Sequence, residues 1–312
     1  MDSLKSKFIG CLVGTAIGDA LGRRFEGHWL PETLDQGFTG RWTDDTHMMI
    51  GVAESLIEMK GFDGDHMART FIRNYEYEPW RGYASGPPRV FKMIKSGMRW
   101  DEAARQLFGG VGSYGNGAAM RVAPVALLYH GDVEKLREVA YAQGSITHAH
   151  KLGIEGAALQ AYAIALALRL SESTDFDPQC LILKLKEFTD EEVYRVKIER
   201  IRELLTGGTK AKIIRELGHG IEAFNSVPTA IFSFLANWKS FEDAVRYAVS
   251  LGGDADTIGA MTGAISGAYH GIERIPQRWR ECVERREYIE TLGEKLYELW
   301  ALSNNSERFR FK

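Results

Sequence analysis

A chain of 312 residues with 45% hydrophobic content is long enough to bury a large core in one domain or two. Its net charge of −3 and isoelectric point near 6.3 exclude a nucleic-acid-binding surface that depends on overall charge. Three widely spaced cysteines indicate no disulfide framework, and the N-terminus lacks the long apolar segment of a signal peptide, so we expect a cytoplasmic protein without a membrane span.

Periodic apolar segments predict helices through most of the chain. They cover residues 4–21, 45–58, 65–77, 101–107, 118–129, 133–142, 152–170, 178–188, 191–205, 211–217, 228–236, 241–250, 257–269 and 283–302. Strand patterns are nearly absent, and no linker or fixed-period repeat divides the sequence. We therefore predict an all-α fold in which residues 1–312 form a single compact domain.

Glycine recurs every fourth residue along the first predicted helix and again along the helix predicted at 257–269. These glycines are Gly10, Gly14, Gly18 and Gly22, and then Gly259, Gly263 and Gly267. Glycine in a helix interior costs about 1 kcal/mol relative to alanine. The spacing therefore indicates close backbone approach between two central helices, and the polar flanks and short runs argue against a membrane pair.

The segment after the first helix, from Arg23 to Trp42, has charged, aromatic, glycine and proline residues without periodicity. One of its two glutamates, Glu26, is either surface decoration or a functional carboxylate. The segment leads directly into the acidic motif at Thr43, which favours a mobile loop that brings Glu26 to a site there.

Two acidic motifs, TDDT and GDADT, each precede a predicted helix, and Asp45 and Asp254 are 209 residues apart. The oxygen donors are Thr43, Asp44, Asp45, Asp254, Asp256 and Thr257. Aspartate and threonine are favoured helix caps, but a cap uses one or two oxygens and each motif offers more. If the motifs meet, their carboxylates must be protonated, turned out into solvent or neutralised by cations, because two carboxylates ~4 Å apart repel by about 4 kcal/mol at an effective dielectric constant of 20. Oxygen-only donors favour Mg²⁺ or Mn²⁺, with Ca²⁺ less suited to catalysis.

The stretch GVGSYGNGAAMR, from Gly110 to Arg121, combines glycines with polar groups and one aromatic side chain, and a predicted helix follows it. Glycine-rich turns before helix N-termini bind phosphates through backbone N–H groups. The stretch is neither a Walker A motif nor a Rossmann fingerprint, so an ordinary tight connection stays the alternative.

The sequence THAH provides His148 and His150 two residues apart. Residues at this spacing do not share a helix face, which argues against a joint metal site. One of them on a pocket wall could bond a ligand phosphate or hydroxyl. No GxSxG or catalytic cysteine motif supports nucleophilic catalysis.

Together these motifs resemble the ADP-ribosylglycohydrolase family over nearly the whole chain, from GCLVGTAIGDALG to GGDADTIGAMTGAISGAYHG. The stretches RGYASG, GSYGNGAAMRVAP and ELGHGIEAFNSVPTAI are similar to the branch that acts on O-linked ADP-ribose. The resemblance implies an all-α, orthogonal multi-helix domain with a binuclear metal cleft and two Mg²⁺ ions, for which Mn²⁺ is a possible substitute. ADP-ribose or ADP-ribosylated proteins and metabolites would be the partners of a monomer, with no nucleic acid and no membrane.

By motif match, Thr43, Asp44 and Asp45 would hold one ion, Asp254 and Thr257 the other, and Asp256 would bridge them. Glu26 would be a gating glutamate that reaches a metal when its loop closes. The substrate would contact Phe108, Gly112, Ser113, Tyr114, Gly115, Asn116, Gly117, His148, Ile198 and Ile221, with Phe108 and Tyr114 around the adenine. Relative to the family pattern, the loop from Glu26 to Thr43 is short, and the resemblance assigns no role to His47 or His150.

The implied reaction is a magnesium-dependent hydrolysis at the distal ribose of serine-linked ADP-ribose, poly(ADP-ribose) or O-acetyl-ADP-ribose. Glu26 or a water would support attack at the anomeric carbon, and Asp45 or Asp256 would handle the proton. Two alternatives stay open: N-glycosidic hydrolysis of ADP-ribosyl-arginine, and a non-catalytic ADP-ribose-binding or structural protein.

Overall fold

Sixteen α-helices occur in the computed structural model, which describes residues 3–26, 38–170 and 176–310. They are α1 Ser3–Gly22, α2 Asp44–Met59, α3 Gly64–Tyr77, α4 Gly86–Lys95, α5 Trp100–Ala103, α6 Ala123–Tyr129, α7 Val133–Ser145, α8 Lys151–Arg169, α9 Pro178–Phe188, α10 Glu192–Leu204, α11 Lys210–Leu217, α12 Ala223–Ala236, α13 Phe241–Val249, α14 Ala255–His270, α15 Gln277–Cys282 and α16 Arg286–Arg310. Short 3₁₀ helices lie at Ala104–Gly110, Asn116–Ala118 and Ile272–Arg274. Because these ranges contain no β-strand and the helices share one core, the all-α prediction is confirmed.

Helices α1 and α14 lie at the centre and pack antiparallel with almost no side-chain spacing. A methyl group added to Gly18 would lie 2.0 Å from the carbonyl oxygen of Gly259, and one added to Gly263 would lie 2.0 Å from that of Gly14. Only hydrogen fits at such distances, so the glycine ridges have the predicted structural role. At one end of the pair, Gly22 lies against Ala255, which brings the end of α1 to the start of α14.

Helices α4 and α15 were not predicted. Helix α4 begins with prolines in its first turn, a favoured position because the first N–H groups of a helix have no internal partner. Its apolar residues Val90 and Phe91 are buried. The proline pair was a sequence signal for a helix start.

Two predicted helix starts were wrong. The helix predicted from 118 begins at Ala123 as α6, and the loop before it forms the 3₁₀ turn Asn116–Ala118 instead. Helix α12 begins at Ala223, five residues before the predicted start at Pro228. Its first N–H donates to the carbonyl oxygen of Tyr114 at 3.0 Å, so a tertiary contact fixes the first turn.

Helix α8 is the one described helix that is long and apolar enough to cross a membrane by length and composition. In the structure, 78% of its 18-residue apolar window is buried against other helices. Such burial is typical of a helix in the core of a protein. The side-chain amide of Gln160, which belongs to α8, donates to the carbonyl oxygen of Met261 at 2.9 Å.

Candidate metal and ligand site

An open cavity of about 360 Å³ lies where α1 ends and where α2 and α14 begin. This volume is within the range of small-molecule sites. Most of the residues predicted as site residues line it: Glu26, Thr43, Asp44, Asp45, Phe108, Ser113, Gly115, Asn116, Gly117, His148, Ile221, Asp254, Asp256 and Thr257. Gly82 and the segment from Ala84 to Pro87, before and at the start of α4, also line the cavity.

The first acidic motif forms the N-terminus of α2, and a residue from α1 holds it in place. The side chain of Asp19 accepts hydrogen bonds from the N–H of Thr43 at 2.9 Å and from the N–H and hydroxyl of Thr46 at 3.0 and 2.6 Å. Thr43 is also the N-cap of α2. The capping interpretation is therefore correct for Thr43, while the carboxylates of Asp44 and Asp45 line the cavity.

The second acidic motif follows a turn of two glycines and opens α14. Gly252 and Gly253 adopt φ values of 66° and 69°, which favour glycine. The N–H of Asp254 then donates to the carbonyl oxygen of His219 at 2.8 Å. Asp256 lies in the first turn of α14, where the helix dipole favours negative charge.

The two motifs line the same cavity, and Glu26 lies beside the second of them. One carboxylate oxygen from each of Glu26, Asp254 and Asp256 lies within 4.8 Å of the others. Glu26 is exposed, whereas Asp254 and Asp256 are 7% and 5% exposed. Closely spaced carboxylates of this kind are a possible metal-binding group.

Burial and mutual repulsion raise the pKa values of these carboxyls. Burial, with a further contribution from the charge of Asp19, raises the pKa of Asp44 to about 7. Burial raises the pKa of Asp254 to about 6, against a hydrogen bond from Asn116 that lowers it. The pKa values of Asp45 and Asp256 lie well above the usual range because of burial and neighbouring carboxylates. The cluster is thus poorly neutralised by the protein.

The arrangement fits a hard divalent cation. Asp45 is 2% exposed, and its Oδ2 atom has no hydrogen-bond partner among the described residues. A buried, unpaired carboxylate oxygen is unfavourable unless something else binds it. The surrounding donors are carboxylate and hydroxyl oxygens, the set that Mg²⁺ and Mn²⁺ prefer.

The glycine-rich loop lies against the start of α12 rather than before an α-helix. The N–H of Asn116 donates to the carbonyl oxygen of Ile221 at 2.9 Å, and the N–H of Gly115 donates to the hydroxyl of Ser113 at 3.1 Å. These two N–H groups therefore have partners within the protein. The side-chain amide of Asn116 donates to Asp254 and, at 3.0 Å, to Ser226, so it connects the loop to the acidic cluster.

The aromatic and aliphatic residues assigned to the substrate lie in different places. Phe108 and Ile221 are 54% and 65% exposed and line the cavity. Tyr114 is exposed beside the loop, with its ring against those of His150 and Phe224. Gly112 packs against the backbone of Ala149 and His150 outside the cavity lining.

Ile198 corrects the sequence-based assignment of substrate contacts. It lies in α10, has no exposed surface and belongs to the hydrophobic core. Its position in α10 follows the apolar spacing of a helix face, so it lines no part of the cavity in this structure.

The two histidines without an assigned role are structural. His150 is the N-cap of α8, and its Nδ1 accepts from the N–H of Leu152 at 3.1 Å. His47 stands between the hydroxyl of Tyr83, at 2.9 Å, and the carboxylate of Glu78, at 3.5 Å. Burial lowers the pKa of His47 to about 4, so the ring is neutral near pH 7.

Several residues at the site were missed from the sequence. Asp19 is the one acidic residue of α1 and lies in its apolar and small-residue part, from Phe8 to Gly22, which was a usable signal. Arg121 is fully buried beneath the cavity and donates to Thr147, which lines it. No local pattern marks Arg121, because its burial depends on α2, α3 and α7.

The glutamate loop is only partly described. Glu26 lines the cavity. The predicted gating motion depends on residues 27–37, which lie outside the described ranges. The gating role stays a prediction.

Comparison with known proteins places the chain among ADP-ribose-processing enzymes. Residues 1–306 match the family model described as ADP-ribosylglycohydrolase. The mouse protein ADP-ribosylhydrolase ARH3 is 36% identical over 345 residues, covering 96% of this chain and 93% of the mouse protein.

A more distant relative and a solved structure extend this finding. The ADP-ribosylarginine hydrolase Tri1 of Pseudomonas putida is 27% identical over 93% of this chain and 77% of its own length. A solved structure titled ADP-ribosylglycohydrolase-related protein complex superimposes with a TM-score of 0.76 and 28% identity, covering 96% of this chain and all of that one.

Proposed function

The chain belongs to the ADP-ribosylglycohydrolase family, and on that basis we propose that it is a magnesium-dependent hydrolase of the O-glycosidic bond at the distal ribose of ADP-ribose conjugates. The conjugates are serine-linked ADP-ribose, poly(ADP-ribose) and O-acetyl-ADP-ribose. ADP-ribosylhydrolase activity follows from the family and from the named hydrolases among its relatives. The O-glycosidic linkage of the substrate and the dependence on Mg²⁺ are the parts that we propose beyond this activity.

One observation carries the proposal: the buried, unpaired Oδ2 atom of Asp45 lies in a cluster of carboxylates that shares a cavity with the glycine-rich loop. Thr43, Asp44 and Asp45 would hold one cation, Asp254 and Thr257 would hold a second, and Asp256 would bridge the two. Divalent cations held by these residues would supply charge neutralisation and would polarise the oxygens of a bound sugar.

Side chains of the protein would carry out proton transfer, orient the metal ligands and contact the adenine ring. Glu26 is the exposed carboxylate of the cluster, so it is the group best placed to take a proton from water that approaches the ribose. Asp19 holds the start of α2 and thereby orients Asp45. The exposed side chains of Phe108 and Ile221, which also line the cavity, offer apolar surface to an adenine ring.

The decisive experiment is a hydrolysis assay with a serine-ADP-ribosylated peptide and O-acetyl-ADP-ribose, each with Mg²⁺ and with a chelator. Magnesium-dependent release of ADP-ribose is expected. Glu26→Gln should lower kcat by about 10²-fold or more, as expected for loss of a general base. Glu138→Gln is a matched control, because Glu138 is an exposed carboxylate paired with Lys135 away from the cavity.

An arginine-ADP-ribosylated peptide belongs in the same assay, because the P. putida relative is named as an ADP-ribosylarginine hydrolase. Faster release from the arginine peptide than from the serine peptide would contradict the proposed linkage. ADP-ribose binding without turnover of any conjugate would instead support a non-catalytic binding protein.

A further inference from the structure

His148 presents one edge of its imidazole ring to the glycine-rich loop. The residue is 7% exposed and lines the cavity. A methyl group added to Gly117 would lie 2.7 Å from Cε1 and 3.1 Å from Nε2 of the ring, and one added to Gly115 would lie 3.5 Å from Nε2. The Nε2 edge therefore faces the cavity side, and Nδ1 faces the protein interior.

The interior nitrogen of His148 is bonded to a threonine hydroxyl that a buried arginine also contacts. Oγ1 of Thr147 lies 2.8 Å from Nδ1 of His148 and 2.8 Å from Nη1 of Arg121. Thr147 and Arg121 are 1% and 0% exposed. Bulk water therefore has little access to these bonds.

The arginine is itself held in a fixed orientation. Its Nε and Nη2 atoms donate to the side-chain and backbone oxygens of Gln143, both at 2.8 Å, and the guanidinium lies over the ring of Phe71. Gln143 in turn donates to the carbonyl oxygen of Ala118 at 2.9 Å. No carboxylate among the described residues forms an ion pair with Arg121.

The direction of each hydrogen bond follows from the chemistry of its donor. A guanidinium has only donors, so the hydroxyl oxygen of Thr147 accepts from Arg121. Within the described part of the chain, Nδ1 of His148 is then the acceptor that the hydroxyl hydrogen can reach. An Nδ1–H tautomer would leave that hydrogen buried without a partner, which is unfavourable.

We propose that Arg121 and Thr147 hold His148 in the neutral tautomer with its hydrogen on Nε2, which gives the cavity one fixed donor for an oxygen of the bound ADP-ribose conjugate. The acceptor assigned here rests on the proposed function, whereas the tautomer does not. Burial and the charge of Arg121 lower the pKa of His148 to about 3, which is consistent with a neutral ring at physiological pH.

We call the hydrogen-bonded series Arg121–Thr147–His148 the relay. Thr147 and Arg121 are positioning residues in it, since they act on the ligand through His148. A neutral histidine without such a partner exchanges between two tautomers, and one of these would present a lone pair to an oxygen acceptor. Fixing the tautomer removes that repulsive state before the ligand binds.

The tautomer is measured on the free protein by long-range ¹H–¹⁵N correlation of the histidine ring nitrogens, with His148→Gln identifying the signals of His148. The wild-type pattern is expected to be that of Nε2–H. Thr147→Val should shift His148 toward a mixture of tautomers, and Thr147→Ser should restore the wild-type pattern. Thr262→Val is the matched control, because it removes a fully buried hydroxyl, bonded to the carbonyl oxygen of Ala230, outside the cavity lining.

An Nδ1–H or imidazolium pattern for His148 in the wild type would overturn the proposal whether or not the Thr147 variants folded. An unchanged tautomer in folded Thr147→Val would overturn the role of the relay. Calorimetry with ADP-ribose should show about tenfold weaker binding for Thr147→Val, the size expected for one lost hydrogen bond. A wild-type protein with the Nε2–H tautomer that does not bind ADP-ribose would overturn the proposed function and the acceptor, while the relay would stand.

Discussion

Asn116 shows how a single side chain connects two parts of the cavity that are far apart in sequence. It belongs to the glycine-rich loop, and its amide donates to Asp254 at the start of α14. A hydrogen bond to a metal-ligating carboxylate fixes the orientation of that carboxylate. The residue assigned to substrate binding is therefore also a support for the second acidic motif.

We expect Asn116→Ala to weaken Mg²⁺ binding by about 10-fold or more, the usual effect of removing a partner of a metal ligand. Titration calorimetry with Mg²⁺ measures this directly. Asn237→Ala is the control, because the side-chain amide of Asn237, at the C-terminal end of α12, donates to the carbonyl oxygen of Ser233 and is not part of the cavity lining. Equal Mg²⁺ affinity of Asn116→Ala and wild type would contradict this supporting role.

Asp19 has a comparable role for the first motif, and it was not predicted from the sequence. Its carboxylate accepts three hydrogen bonds from the α2 start, from residues more than twenty positions away. Burial raises its pKa to about 6, and the bonds from Thr46 and Thr43 oppose that rise. The identity of Asp19 was visible in the sequence, but its partner depended on the packing of α1 against α2.

Helices α1 and α14 set the position of both acidic motifs, so their contact determines the geometry of the site. Four-residue glycine spacing predicted this contact, because helical residues four apart share one face. The sequence did not predict the antiparallel direction of the pair. That direction places the end of α1, and hence Glu26, at the start of α14.

Gly18→Ala should destabilise the protein by about 2 kcal/mol or more, because the added methyl group would lie 2.0 Å from a backbone oxygen that cannot move independently. Gly131→Ala is the matched control, since nothing lies within 4 Å of its added methyl group, and we expect a change of about 0.5 kcal/mol or less. Urea unfolding monitored by circular dichroism measures both. Equal urea midpoints for the two variants would contradict the prediction, because they would show that α1 and α14 can accommodate an added methyl group between them.

Helices α4 and α12 show why parts of the fold were not predicted. Helix α4 was missed although prolines mark its start, because it has only ten residues and follows an irregular segment. The early start of α12 depends on the bond from Ala223 to Tyr114, which joins segments more than a hundred residues apart. Local propensity contains no information about such a bond.

Across the whole molecule, the carboxylate cluster makes stability depend on pH and on metal. The folded-state pKa values of Asp44, Asp254 and Asp19 are raised to about 7, 6 and 6, above the usual 3.8. Raised carboxyl pKa values favour the folded state most below about pH 4, and this contribution is lost as the pH rises through the folded values. Metal-free protein should therefore lose stability between about pH 5 and pH 8.

Mg²⁺ should reverse that loss, because a cation that binds only the folded protein stabilises it by about 2.7 kcal/mol at a hundred times its Kd. The increase in Tm on adding Mg²⁺ should be larger at pH 8 than at pH 5, where protons compete with the metal. Thermal scans with Mg²⁺ and with a chelator test this at both pH values. Asp45→Asn should raise the Tm of metal-free protein at pH 8 and reduce the response to Mg²⁺. A Tm independent of Mg²⁺ at both pH values would contradict the metal site.

By itself the sequence determined the helical class, the glycine contact, the oxygen-rich chemistry of the two acidic motifs and the family, because each of these is written in residue type and short spacing. Tertiary structure decided which groups meet. It placed both motifs and Glu26 around one cavity, left one oxygen of Asp45 without a hydrogen-bond partner among the described residues, placed Ile198 in the core, and buried Arg121 behind Thr147 and His148. The physical reason is that burial and hydrogen-bond partners depend on contacts between distant segments, and those contacts set charge, tautomer and access in the cavity.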